Sequence, residues 1–210
     1  MMLKTTLALL HKANACSAGL QTLTASLGSK WTDDKEISLK RILKSNGLDH
    51  AIWAMRATTE PCKRAIVLLS VDFAMEVLGN FEKAFPDDKR PREALQAASD
   101  FMDGKITLAQ LEDKKSAARS AARSAAYSAA YSAADSAADS AYWAADSANS
   151  AVDSVDSVDS AAYSARLAAR SAARSAARSA ADSAADSAYW AAYSAAIERQ
   201  KALFLKRVSK

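Results

Sequence analysis

Residues 116–143 read SAARSAARSAAYSAAYSAADSAADSAYW. This four-residue beat, Ser-Ala-Ala-X, decides the fold class. Alanine has the highest intrinsic helix propensity, and no glycine or proline follows Gly104 to interrupt it. The same score returns downstream, where 179–192 repeats 132–145 (SAADSAADSAYWAA) without a change. Internal duplication is its simplest origin.

The beat does not suit a two-stranded coiled coil. At about 100° per residue, each four-residue step carries X about 40° around the helix axis. From Ser116 to Ser140 the stripe swings by about 240°, so no one face stays buried. Each helix is expected to touch neighbours on several sides, as in a bundle. Arg119/Arg123 and Asp135/Asp139 are like-charge pairs at i,i+4, and Arg precedes Asp in each copy. Both arrangements disfavour a solitary helix. An antiparallel hairpin relieves them if the turn lies near Asn149–Val158, where the beat changes to Val-Asp-Ser. Arg123 is then expected opposite Asp186, Asp135 opposite Arg174, Asp139 opposite Arg170, and Tyr127 near Asp182.

Upstream of the tract the chain punctuates into helices. Asp33–Ser45 reads as one, capped by Thr32 or Asp33 and ended by Gly47. Leu48–Ala57 follows. Pro61 suits the first turn of Cys62–Leu78, which is apolar nearly all round and reads as the central buried helix, stopped by Gly79. Pro91 opens another helix, with Ala94, Leu95, Ala98 and Phe101 as its inner stripe and Gly104 past its end. Thr107 and Gln110 have capping-box spacing for the helix that enters the tract. No strand-like alternation occurs. The expectation is an all-α protein: a helical domain over 1–115, the duplicated tract over 116–196 and a basic helical tail over 197–210.

Charge is unevenly spread. Residues 1–115 hold 17 basic and 15 acidic side chains, and the tract holds 6 Arg against 8 Asp. The tail has 5 basic side chains and 1 acidic, so the excess sits in Arg199, Lys201, Lys206, Arg207 and Lys210. That is no phosphate-binding face; it reads as a solvated helix end, and nucleic acid is not the expected partner. Cys16 and Cys62 belong to no paired motif and read as buried free thiols in a reducing cytosol. The apolar run after Lys4 is broken by His11 and Lys12, too early for a signal core, and no stretch reaches membrane-spanning length. A soluble cytoplasmic protein is expected.

Catalytic signals are missing. His11 and His50 are the only histidines and read as structural; Asp33-Asp34 and Asp87-Asp88 fall at turns or caps, where aspartate bonds the backbone. There is no glycine-rich phosphate loop, GxSxG, HExxH or paired CxxC. No catalytic residue, metal site or cofactor is expected.

What stands out is the decoration of the small-residue helices. All six tyrosines lie in the tract, with Trp143 and Trp190. Tyr, Trp and Arg on an Ala/Ser background have the composition of binding surfaces. The candidate binding residues are Arg119, Arg123, Tyr127, Tyr131, Tyr142, Trp143, Tyr163, Arg166, Arg170, Arg174, Arg178, Tyr189, Trp190 and Tyr193. The competing structural reading has the two Tyr-Trp pairs filling gaps against the N-terminal domain.

Three segments carry a resemblance: Asn46–Ala57 (NGLDHAIWAMRA), Phe85–Ala94 (FPDDKRPREA), and Gly104–Thr107 leading into the alanine-rich tract. They resemble an immunity-protein family with an immunity-protein-five-like helical domain and an Ala-rich tail, and FPDDKRPREA is the clearest anchor. The resemblance implies an all-α, bacterial or phage-borne protein that neutralises a toxin by binding it. The leading expectation is therefore a non-enzymatic binding protein, a toxin-immunity or phage anti-defence factor with a protein partner. Two alternatives stay open. One is sequestration of a small nucleotide, with Arg clamping phosphate and Tyr or Trp stacking the base. The other is a structural module through which the chain forms a homo-oligomer.

Overall fold

The computed structural model describes residues 2–28, 31–127, 141–144, 163–174 and 186–209, with side chains described except at 125–127 and 186–189. The fold is all-α, with one two-stranded sheet among the described residues. Strand β1 (Lys4–Thr5) precedes α1 (Leu7–Lys12) and α2 (Ser17–Leu27). Strand β2 (Ile37–Ser38) runs directly into α3 (Leu39–Asn46), followed by α4 (Leu48–Ala54) and a 3-10 turn at Met55–Ala57. The long helices are α5 (Lys63–Ala84), α6 (Arg90–Met102) and α7 (Leu108–Tyr127). Residues 141–144 form a helical turn, 163–174 form α8, and α9 spans Asp186–Val208.

Two expectations about the N-terminal half are corrected. The helix expected from Asp33 begins only at Leu39, with Ser38 Oγ accepting from Arg41 N at 3.3 Å as its cap. Thr32 and Asp33 instead make the preceding turn, where the Asp33 carbonyl accepts from Ala8 N at 2.9 Å. Ile37 and Ser38 are drawn out as a strand because β1 offers backbone partners, Thr5 opposite Ile37 and Lys4 opposite Ser38. Two residues per strand are too few to show an alternating pattern.

The second correction concerns Gly79, which does not stop α5. The helix runs on to Ala84 because Phe81 is still in the core, while Gly79 sits on the exposed side. There a missing Cβ costs helix propensity, on the order of 1 kcal/mol, but no packing. Gly47 and Gly104 take positive φ values of 83° and 70° directly after α3 and α6, as helix-ending glycines do. The capping box is present: Thr107 N donates to Gln110 Oε1 at 2.8 Å, and Gln110 N donates to Thr107 Oγ1 at 3.3 Å.

Helix α5 is the central element, as its apolar circumference predicts. Ile66, Leu69, Phe73, Val77 and Phe81 face one cluster, shared with Leu7, Leu10, Ile37, Ile42 and Ile52. Val67, Val71, Ala74 and Leu78 face a second, shared with Ala94, Leu95 and Ala98 of α6 and Leu111 of α7. The alanine tract joins both clusters. Ala118 packs in the second and Ala121 and Ala122 in the first, so the buried stripe of α7 rotates as the four-residue beat requires. On α8, Ala165, Ala169 and Ala172 complete the first cluster.

Helix α9 closes the fold. Phe204 and Val208 are fully buried, and the Leu3 amide donates to the Val208 carbonyl at 2.7 Å, linking the two ends of the chain. The basic tail is therefore only in part the solvated helix end expected, since Lys206 is exposed while its two arginines are engaged. Arg207 makes paired hydrogen bonds to Asp72 of α5, and Arg199 bonds Glu76 one turn further along. Burying Phe204 and Val208 brings that face of α9 onto α5, where the acids neutralise it. Among the described residues no helix is long and apolar enough to cross a membrane.

Candidate functional site

Helix α8 presents Tyr163, Arg166, Arg170 and Arg174 at steps of three and four, which places them along one side. Arg170 Nη2 donates to Asp49 Oδ2 of α4 at 2.8 Å, with both side chains about half exposed. Asp49 is the main reason the Arg170 guanidinium is held above its ordinary range, and Tyr193 and Tyr163 add to the same shift. Tyr193 also meets Trp190 edge-on, ring centroids 6.1 Å apart. The result is an aromatic patch around an arginine. Trp190 is 64% exposed and Tyr163 56% exposed, so neither plugs a gap against the N-terminal half.

Below Arg170 a cavity of about 430 Å³ opens between α8 and the α1–α4 region. Its lining includes the apolar side chains of Leu10, Leu20, Leu23, Ile42 and Trp53, with Asn14, Cys16, Asn46, Asp49, His50, Arg166 and Arg170 as polar groups. Asn14, in the α1–α2 turn, has a left-handed φ of 58°, a conformation asparagine tolerates better than most residues. That turn delivers Cys16 to the start of α2, where Sγ accepts from Gly19 N at 3.4 Å. Cys16 is exposed, which corrects the expectation of a buried thiol; Cys62 is buried as expected, and burial pushes its thiol up.

Gly19 separates Cys16 from His50. A Cβ at position 19 would lie 3.0 Å from Cys16 Sγ and 3.2 Å from His50 Nε2, so the thiol and the imidazole flank the same backbone atom. His50 Nδ1 lies 3.0 Å from the Asn46 carbonyl. A carbonyl only accepts, so Nδ1 donates in this contact. Asn46 Nδ2 donates to the Gly19 carbonyl at 2.7 Å, holding α3 against α2 at this point. Arg166 also lines the cavity, and its Nε is buried without a hydrogen-bond partner among the described residues.

A second aromatic group lies on the helical turn at 141–144. Tyr142 and Trp143 meet edge-on with centroids 5.0 Å apart, and Lys115 and Arg119 lie 5.9 and 5.5 Å from the Tyr142 ring. Both rings are partly buried, while Arg123 is exposed. Tyr131, Arg178 and the Asn149–Val158 turn lie outside the described residues, as do Asp135, Asp139 and Asp182 of the expected hairpin pairs. The side chains of Tyr127, Tyr189 and Asp186 are likewise not described. Among the described residues no group of three His, Cys, Asp or Glu side chains could hold a metal ion.

Sequence reasoning missed the cavity. Cys16, Gly19, His50 and Arg166 are far apart in the chain and form no spaced motif. The one signal was that Asn46, Asp49, His50 and Trp53 all fall in the segment carrying the family resemblance. The clearest anchor of that resemblance proves architectural. In FPDDKRPREA, Asp88 accepts from the Arg90 amide and side chain at 3.1, 2.8 and 2.6 Å, and Lys89 Nζ donates to the Pro86 carbonyl at 2.6 Å. Arg92 forks onto Glu82 of α5 at 2.6 and 2.7 Å. These bonds set the angle between α5 and α6.

That interlocked α5–α6 corner lies inside a segment, residues 56–152, that matches the family model described as "Imm-5 like putative immunity protein". Residues 56–152, a little under half of the chain, are similar to that family. No curated protein and no solved structure matches the chain. The matched segment holds α5, α6, α7 and the Tyr142–Trp143 pair. The cavity residues and the Trp190–Tyr163–Arg170 patch lie on either side of it in sequence.

Proposed function

We propose that this protein is a non-enzymatic immunity factor that neutralises a protein toxin by binding it, with the Tyr163–Arg170–Tyr193–Trp190 patch as the contact surface. The family match over 56–152 supports a toxin-immunity role. The observation that carries the binding surface is the exposure of Tyr163 and of Trp190, whose ring meets Tyr193, next to Arg170. Exposed aromatics beside an arginine are enriched at the energetic centres of interfaces. Arg174, one turn beyond Arg170, is exposed as well, so the surface suits a partner with acidic groups.

The test is co-purification from the native host, comparing the wild-type protein with the double variant Trp190→Ala/Tyr163→Ala. The wild type should hold a stoichiometric protein partner, and the variant should lose it while melting at the same temperature. Recovery of free wild-type monomer alone, or a partner held equally by the variant, would overturn the reading.

A further inference from the structure

We propose that the cavity between α8 and the α1–α4 region is a binding site for a small organic acid, a single carboxylate on an apolar body. Three observations carry this beyond the toxin-binding surface. The volume, about 430 Å³, is in the range of small-molecule sites. Leu10, Leu20, Leu23 and Ile42 give it an apolar wall, against which a hydrocarbon or aryl body gains burial. Arg166 lines the same space with a buried Nε that no group among the described residues satisfies. A buried donor of a charged group left without a partner is costly, and a carboxylate supplies the partner in a forked geometry.

The charge balance selects the head group. Of the two arginines on the cavity, Arg170 is already engaged by Asp49. Among the described lining residues that leaves Arg166 as the cation without a carboxylate, beside the acidic Asp49 at the rim. One negative charge is matched there. The two or more charges of a nucleotide phosphate chain are not, which separates this ligand from the nucleotide alternative read from the sequence. Cys16 and His50 also line the cavity, and the exposed Cys16 thiol gives a chemical probe of its occupancy.

The test uses full-length protein and three probes: 2-naphthoate, the neutral 2-naphthalenemethanol, and adenosine diphosphate, each followed by titration calorimetry. Naphthoate should bind saturably and about tenfold more tightly than the alcohol. In Arg166→Gln that advantage should vanish while alcohol binding is unchanged. A measurement on the wild type alone guards against a variant that fails to fold: saturating naphthoate should slow carbamidomethylation of Cys16 by iodoacetamide at least about fivefold, with buried Cys62 as the internal control. Equal affinity for acid and alcohol, no saturable binding, unaltered Cys16 labelling, or tighter binding of the nucleotide than of naphthoate would each overturn the proposal.

Discussion

Arg207 on α9 grips Asp72 on α5 through two hydrogen bonds, Nε to Oδ2 at 2.6 Å and Nη2 to Oδ1 at 2.7 Å, with each side chain only 18% exposed. The pair joins residues 135 positions apart. It turns the most basic stretch of the chain into part of the core's outer wall.

A forked, largely desolvated arginine–carboxylate pair is worth more than an exposed one. Asp72→Asn should lower the unfolding free energy by about 1.5–3 kcal/mol, the range for hydrogen bonds to charged groups. By contrast Asp49→Asn, which breaks the half-exposed pair with Arg170, should cost less than about 1 kcal/mol. Urea denaturation of the two variants checks the ordering, and equal losses would contradict it.

Phe204 has no exposed surface and belongs to the same core cluster as Phe73, Phe81 and the alanines Ala165, Ala169 and Ala172 of α8. Phe204→Ala should therefore cost about 3–5 kcal/mol, the usual range for a buried phenylalanine truncation. Removing 197–210 should unfold the chain rather than trim a tail, because Phe204 and Val208 leave together. Far-ultraviolet dichroism and thermal melting of both variants decide this.

The helix entering the tract depends on its cap. Thr107→Ala removes the hydroxyl that accepts from Gln110 N and should cost about 0.5–2 kcal/mol. Thr107→Ser keeps the bond and should recover most of it. Hydrogen exchange at the first amides of α7 should rise in the alanine variant alone.

Acid and alkali should act through different groups. The Arg90 side chain holds the Asp88 carboxyl below the usual range, and Arg92 does the same to Glu82. A depressed folded value means stability fully present above the unfolded carboxylate range and lost as the pH falls through the folded value, so the loss begins below about pH 4. Arg92→Gln should reduce the slope of stability against pH in that window. Burial raises the Cys62 thiol, so its contribution is complete below the ordinary thiol range and declines above about pH 9. Cys62→Ala should flatten the alkaline limb and leave the acid limb unchanged. Denaturant midpoints measured across the pH range separate the two.

The sequence by itself determined the helical class, the central place of α5, the capping box at Thr107–Gln110 and the glycine stops after α3 and α6. These follow from propensity, periodicity and local hydrogen bonding, which act over a few residues. It misplaced the start of α3 and the role of Gly79, because a strand partner from β1 and a core position for Phe81 come from elsewhere in the chain. Tertiary structure alone decided what the charges and the small residues do. The basic tail finds Asp72 and Glu76, Arg170 finds Asp49, and Arg166, in the cavity that Cys16 and His50 also line, keeps a donor unsatisfied among the described residues. Alanine contributes one methyl group wherever it lies, so a Ser-Ala-Ala-X tract specifies helix but not neighbours. Those are chosen by which bulky residues of α1–α5 and α9 leave room for it.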